Sequence, residues 1–314
     1  MPEAAAFPAG TTVLDGGLAT ELEARGCDIS GRLWSARALQ ESPEAIERLH
    51  CDYYAAGASV ATSASYQASY EGFAAAGIDE AETTRLLRLS VELARRARDR
   101  YRREHPDDDR PLFVAASIGP YGAISHDGNE YRGDYGLDVD GLVAFHERRF
   151  GVLAAAGADL LACETIPVLE EALAYLRLLE RHPAARAWLS FTTPDGRRTS
   201  HGEPLADCAR AADSAAGVVA VGVNCVNPGV VSDAIRALKS GTAKPIVVYP
   251  NSGETWNAGD ERWHGDAARA GLAALAPGWV AEGAALVGGC CRVGPGQIAA
   301  LAGAVARLRA PNAG

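Results

Sequence analysis

The chain has 314 residues, 48% of them hydrophobic, with 34 glycines, 16 prolines and a formal net charge of −10. That length and apolar content suffice for one large globular unit, and the acidic balance argues against nucleic acid or an anionic membrane surface as a partner. No apolar run approaches the roughly 18–20 residues of a membrane span, and the first residues carry neither a basic nor an apolar leader pattern, so a cytoplasmic protein is expected.

In chain order, eight short apolar runs read as strands, near residues 12, 59, 112, 159, 187, 218, 245 and 285. They are continuously apolar rather than alternating, as parallel strands covered by helices should be. Helical patterns lie between them, among them Glu80 to Arg103, with Leu86, Leu89 and Leu93 on one face, and Leu142 to Ala156. A joint recurs as "AAGASV" from Ala55, "AAGADLL" from Ala155, "SAAGVV" from Ser214 and "AEGAAL" from Ala281. Each is a helix-like run closed by Gly, the residue that most easily takes the left-handed conformation past a helix end, followed at once by a strand. Eight such units predict a single-domain α/β fold, a TIM (β/α)8 barrel over residues 11–309 with short tails at 1–10 and 310–314.

Helix-to-strand joints are short, whereas several strand-to-helix connections are long. The stretch Gly119 to Gly141 after the third strand far exceeds the usual loop of about 4–6 residues. In a barrel these long connections share the C-terminal rim, where active sites are built.

The seven cysteines are too few for a disulfide scaffold. Cys27, Cys51 and Cys208 fall in loop or helix contexts and read as structural. Cys290 and Cys291 follow Gly288 and Gly289 at the end of the eighth strand, and Cys225 ends the sixth in "VGVNC". Adjacent strand residues point to opposite faces, so the paired thiols need the conformational freedom of the glycines to aim at one point. Three thiolates at about 2.3 Å from Zn²⁺ would leave one tetrahedral position open, the arrangement of a catalytic zinc. Two other readings stand beside it: cysteine as a small buried hydrophobe, and a vicinal disulfide. The histidines form no H-x-H or H-E-x-x-H pattern and "DGGLATE" lacks the G-x-G-x-x-G signature, which disfavours a metallohydrolase or a nicotinamide enzyme.

Taken together, "LDGGLATELEARG" at Leu14, "LLACETIP" at Leu160, "VGVNC" at Val221, "VVYPNSGE" at Val247 and "GGCC" at Gly288 resemble the homocysteine S-methyltransferase family over nearly the whole chain. The segments "LWSA", "TSASYQASYEGF", "GPYGA" and "YRGDY" are most similar to its bacterial members that use S-methylmethionine, and sometimes S-adenosylmethionine, as donor. The resemblance implies zinc held by Cys225, Cys290 and Cys291, with the homocysteine sulfur at the open position and methionine as product. It assigns Asp15 and Glu164 to the amino acid, with the Gly16 and Gly17 backbone nearby. Betaine-dependent relatives carry tyrosine after the matching glutamate, where this chain has Thr165. A sulfonium donor favours aromatic faces, and Trp34, Tyr66, Tyr70, Phe73 and Tyr121 in the long loops are the candidates for its pocket. The alternatives are a thiol-based zinc or redox sensor, and a related methyltransferase that takes selenocysteine as acceptor or betaine as donor.

Overall fold

A computed structural model describes residues 10–29, 36–124, 128–257, 262–264 and 271–309. Its eight parallel strands are β1 (Thr12–Val13), β2 (Val60–Thr62), β3 (Phe113–Ile118), β4 (Leu160–Ile166), β5 (Ala187–Phe191), β6 (Val218–Asn224), β7 (Ile246–Tyr249) and β8 (Ala284–Val287). They pair in the order β1-β8-β7-β6-β5-β4-β3-β2. A parallel bridge between Leu14 and Val60 closes the sheet, with the Ser59 N–H donating to Val13 O at 2.7 Å and the Asp15 N–H to Val60 O at 3.1 Å. The closed barrel has no free edge for another strand to join.

Each strand is followed by one principal helix: α1 (Pro43–Ala55), α2 (Glu80–Glu104), α3 (Val139–Ala154), α4 (Leu169–Arg181), α5 (Leu205–Asp213), α6 (Val231–Lys239), α7 (Gly271–Glu282) and α8 (Pro295–Arg309). The capping chemistry is local. Asp79 accepts the Glu82 N–H at 2.8 Å to start α2, which ends with Arg102 and Arg103 in its last turn, so charges at both ends complement the helix dipole. Asp138 starts α3 in the same way, accepting the Gly141 N–H at 2.9 Å.

Strand alternation divides the buried side chains into two layers. Leu14, Val60, Ala115, Leu160, Ala162, Trp188, Val247 and Leu286 fill the barrel interior, whereas their neighbours, such as Leu161, Cys163 and Leu189, face the helices. The fully buried Trp188 occupies the middle. Three of the four repeated glycine joints are left-handed, at φ 100° for Gly57, 86° for Gly157 and 114° for Gly283. Gly217 is not; α5 has already ended at Asp213, so no helix end needs reversing there. Among the described residues no helix is long and apolar enough to cross a membrane.

Candidate active site

The two thiol motifs meet on the C-terminal rim. The sulfur atoms of Cys225, Cys290 and Cys291 all lie within 4.8 Å of one another. Cys290 is not paired with its sequence neighbour, whose sulfur is 4.0 Å away. It is joined instead to Cys225 as a disulfide, with Cα atoms 5.6 Å apart. Cys27, Cys51, Cys163 and Cys208 are free thiols outside this cluster.

Backbone bonds from the end of β7 thread between the thiol loops. The Cys225 N–H donates to Tyr249 O at 3.3 Å, the Cys290 N–H to Pro250 O at 2.8 Å, and the Ser252 N–H to Cys291 O at 3.1 Å. Asn251 bridges both sides: its N–H reaches Val226 O at 3.0 Å and its Oδ1 accepts the Cys291 N–H at 3.2 Å. Gly16 and Gly17 pass beneath the same loop. A Cβ on Gly16 would lie 2.0 Å from Val293 O, and one on Gly17 2.6 Å from Cys290 O, so these glycines have a packing cause. The Gly17 N–H is itself spent on Val293 O at 3.0 Å.

The two carboxylates sit beside the thiols with no cation of their own. Asp15 and Glu164 are buried, and among the described residues neither forms an ion pair with a Lys, Arg or His. Asp15 accepts the Thr62 N–H at 2.6 Å and the Thr62 hydroxyl at 2.9 Å. Burial pushes its carboxyl up to about 8, and the nearby Glu164 adds to the rise. Glu164 accepts the Ser117 hydroxyl and the Tyr249 hydroxyl, the latter at 3.0 Å, and burial raises it to about 7. Two buried acids held near neutrality are a place where an arriving cation is stabilised.

Backbone strain gathers at the same rim. Among the described residues, the non-glycine residues with positive φ are Thr165 at 61°, Cys225 at 51° and Arg292 at 61°. Such conformations persist only where surrounding contacts enforce them, and they cluster at functional sites. Asn224 supplies much of that enforcement. Its Oδ1 accepts the Thr165 N–H at 2.7 Å and the Ser190 hydroxyl at 2.8 Å, while its Nδ2 donates to Thr165 Oγ1 at 2.8 Å. Thr62, Ser117, Ser190, Asn224, Tyr249 and Asn251 were not singled out from the sequence. The signal for Tyr249 was its period-two spacing from Val247, which puts both inside the barrel.

Of the five aromatic donor candidates, the four described do not gather. Trp34 lies outside the described residues. Tyr70 faces the helices, its ring under Arg148 at 3.9 Å and its hydroxyl 2.7 Å from Thr84 Oγ1. Phe73 is fully buried in the outer layer. Tyr121 packs edge-on against Tyr135 and Phe145, with centroids 5.1 and 4.9 Å apart. Tyr66 lies by Thr165 and Glu164 at the rim, and Tyr131, which was not among the candidates, lies near Cys291.

Paired thiols, buried acids and strained backbone on the C-terminal rim of a closed (β/α)8 barrel define a barrel enzyme. The chain belongs to the homocysteine S-methyltransferase family, whose model matches residues 12–305, and it is a methyltransferase. A Bacillus subtilis (strain 168) homocysteine S-methyltransferase, YbgG, is 49% identical over 292 residues, 92% of this chain and 93% of that one. An Escherichia coli (strain K12) homocysteine S-methyltransferase is 50% identical over 290 residues, 92% and 93% of the two chains. The crystal structure of the metallated form of the Escherichia coli homocysteine methyltransferase MmuM superposes with a TM-score of 0.85 at 48% identity, covering 93% of this chain and 96% of that one.

Proposed function

We propose that this protein transfers a methyl group from a sulfonium donor, S-methylmethionine in the first instance, to the thiol of homocysteine with the help of zinc, giving methionine. The observation that carries the reading is the convergence of Cys225, Cys290 and Cys291 beside two unpaired buried acids.

The donor set suits zinc. Tetrahedral bonds of about 2.3 Å put sulfurs about 3.8 Å apart, and Cys290 and Cys291 stand at 4.0 Å. Cys225 and Cys290 would first have to be reduced, since a disulfide offers no thiolates. Zinc bound there would favour loss of the proton from an acceptor thiol, which at an ordinary pKa near 8.5 is mostly protonated at neutral pH.

The chain's own groups handle the rest of the acceptor. Asp15 and Glu164 take the ammonium, whose charge draws both carboxyls back toward ionisation. Thr62, Ser117 and Tyr249 fix the direction of those carboxylates. A sulfonium cation has no proton to donate, so it is held by aromatic faces, and Tyr66, beside Glu164, and Tyr131, beside Cys291, offer such faces at the rim. In the transfer, the acceptor sulfur forms its bond to the methyl carbon as the donor's carbon–sulfur bond breaks. That bond's electron pair stays on the departing sulfur, and the thiol proton goes to solvent.

A sensor built on the same thiols fits less well. That reading gives Asp15 and Glu164 no task.

The test is zinc content after reduction, with and without homocysteine, followed by methionine formation from S-methylmethionine, with S-adenosylmethionine, betaine and selenocysteine in parallel. Cys225→Ser, Cys290→Ser and Cys291→Ser should each lose zinc and turnover together, by more than the 10–100-fold that residues outside the ligand set cost. Full activity in the Cys291→Ser protein would overturn the mechanism.

A further inference from the structure

Beneath the rim, between α3 and α4, lies a buried ionic cluster that the methyl-transfer reading leaves unused. Glu171, His146 and Arg149 are at most 1% exposed. The Arg149 Nε and Nη2 donate to His146 Nδ1 at 3.2 and 2.9 Å, so that nitrogen is the acceptor and the proton sits on Nε2, which donates to Glu171 Oε1 at 2.8 Å. The histidine is therefore the neutral middle of a chain from a guanidinium to a carboxylate.

All other polar contacts of this cluster lead into the long connection after β3. Glu171 Oε1 also accepts the Tyr121 N–H at 2.6 Å, and its Oε2 accepts the Tyr135 hydroxyl at 3.2 Å. Arg149 Nη2 donates to Gly119 O, as does the Tyr175 hydroxyl at 3.1 Å. A single carboxylate between two rigid helices thus fixes two points of that connection, and the guanidinium fixes its start.

The pinned residues adjoin two rings of the rim, Tyr66 beside Thr165 and Glu164, and Tyr131 beside Cys291. The Gly119 N–H donates to Tyr66 O at 3.1 Å, and a Cβ on Gly119 would lie 2.8 Å from two Tyr66 ring carbons, so the Tyr66 ring rests on the glycine that Arg149 and Tyr175 hold. Between Tyr121 and Tyr135, the turn Asn129–Tyr131 packs against β4, the strand that carries Glu164. A buried ion pair is weak support for stability alone, because apolar residues of similar volume often serve as well or better. The contacts fit a device that specifies geometry.

We infer that Glu171, braced by His146 and Arg149, is a positioning residue for the methyl-donor side of the site, holding Tyr66 and Tyr131 where a sulfonium would rest. The inference relies on the methyl-transfer reading above. Its test is steady-state kinetics with donor and homocysteine varied separately, together with zinc content and melting temperature, for Tyr135→Phe and Glu171→Gln. Tyr135→Phe removes one hydroxyl from a half-buried position and disturbs folding least. It should raise the donor KM about tenfold, the scale of one hydrogen bond to a charged group, while homocysteine KM and zinc content hold. Glu171→Gln should shift the same constant in the same direction.

Donor KM values that stay at the wild-type level in both variants would overturn the inference, and so would donor and homocysteine constants moving together with a lowered melting temperature, the mark of a merely structural role. A wild-type protein that methylates homocysteine from no sulfonium overturns the functional reading first and this inference with it.

Discussion

Asp15 gives the sharpest test of the idea that the acids wait for a cation. Its carboxyl is raised from an ordinary 3.8 to about 8, chiefly by burial. Because the folded value lies above the unfolded one, the native protein keeps a proton that the unfolded chain releases. The contribution of this group to stability is complete below about pH 4 and drains away as pH rises to 8. At about 1.4 kcal/mol per pH unit, the upper bound of that loss at pH 8 is about 5 kcal/mol, and relaxation of the site brings the expected value to about 2–3 kcal/mol. Asp15→Asn keeps a group of the same shape, with an oxygen for the Thr62 N–H and an amide for the Thr62 hydroxyl. In urea unfolding of reduced, metal-free protein between pH 5 and 8.5, the variant should be the more stable at pH 8, and its advantage should shrink toward pH 5. The same variant should bind homocysteine poorly, since the ammonium loses one of its two anionic partners. An Asp15→Asn protein less stable than wild type at pH 8 would refute the reasoning.

Two further outcomes are expected. Asn224→Ala removes both hydrogen bonds that Asn224 makes to Thr165 and should cost about 2–3 kcal/mol in denaturant unfolding, because it leaves a buried N–H unpaired at a residue whose φ is 61°. Thr165→Gly in that background should recover part of the loss, since glycine takes positive φ without strain; no recovery would show that Asn224 does not act through Thr165. Thiol titration in denaturant should find seven reactive thiols per chain in protein kept reduced with zinc and five after metal removal in air, the loss marking a bond between Cys225 and Cys290; seven in both would show that the pair does not close.

The barrel was legible because its signals are local and repeated. Strands covered on both faces read as unbroken apolar runs, and Gly57, Gly157 and Gly283 mark the helix ends that precede β2, β4 and β8. The three thiols were legible for the same reason: each falls at a strand end, and parallel strands in a barrel deliver their ends to one rim. What could not be read depends on which strand lies beside which. Thr62 meets Asp15 only because β2 closes against β1, and Ser117 meets Glu164 through the pairing of β3 with β4. The described donor candidates do not gather because Tyr70 and Phe73 lie on a short helix, Tyr70–Ala75, that packs into the outer layer. Tyr70 was drawn outward to Arg148 and Phe73 into the outer layer.

The ionic cluster under the rim is a different case, since a trace of it was present in the sequence. Along α3, Leu142, His146, Arg149, Phe150 and Leu153 recur at helical spacing and are all buried. A histidine and an arginine therefore occupy two places on a stripe that should be apolar. Residues of that kind on a core face require a buried anion in an adjoining element, because leaving a guanidinium unpaired inside a protein costs more than any packing it gains. Glu171, buried in the first turn of α4 where that helix faces α3, is that anion, and the guanidinium reaches it through His146. Charges interrupting an apolar stripe just after an unusually long barrel loop thus give a rule that sequence reading could apply directly: look for the acid on the next helix, and expect the loop to be tied to it.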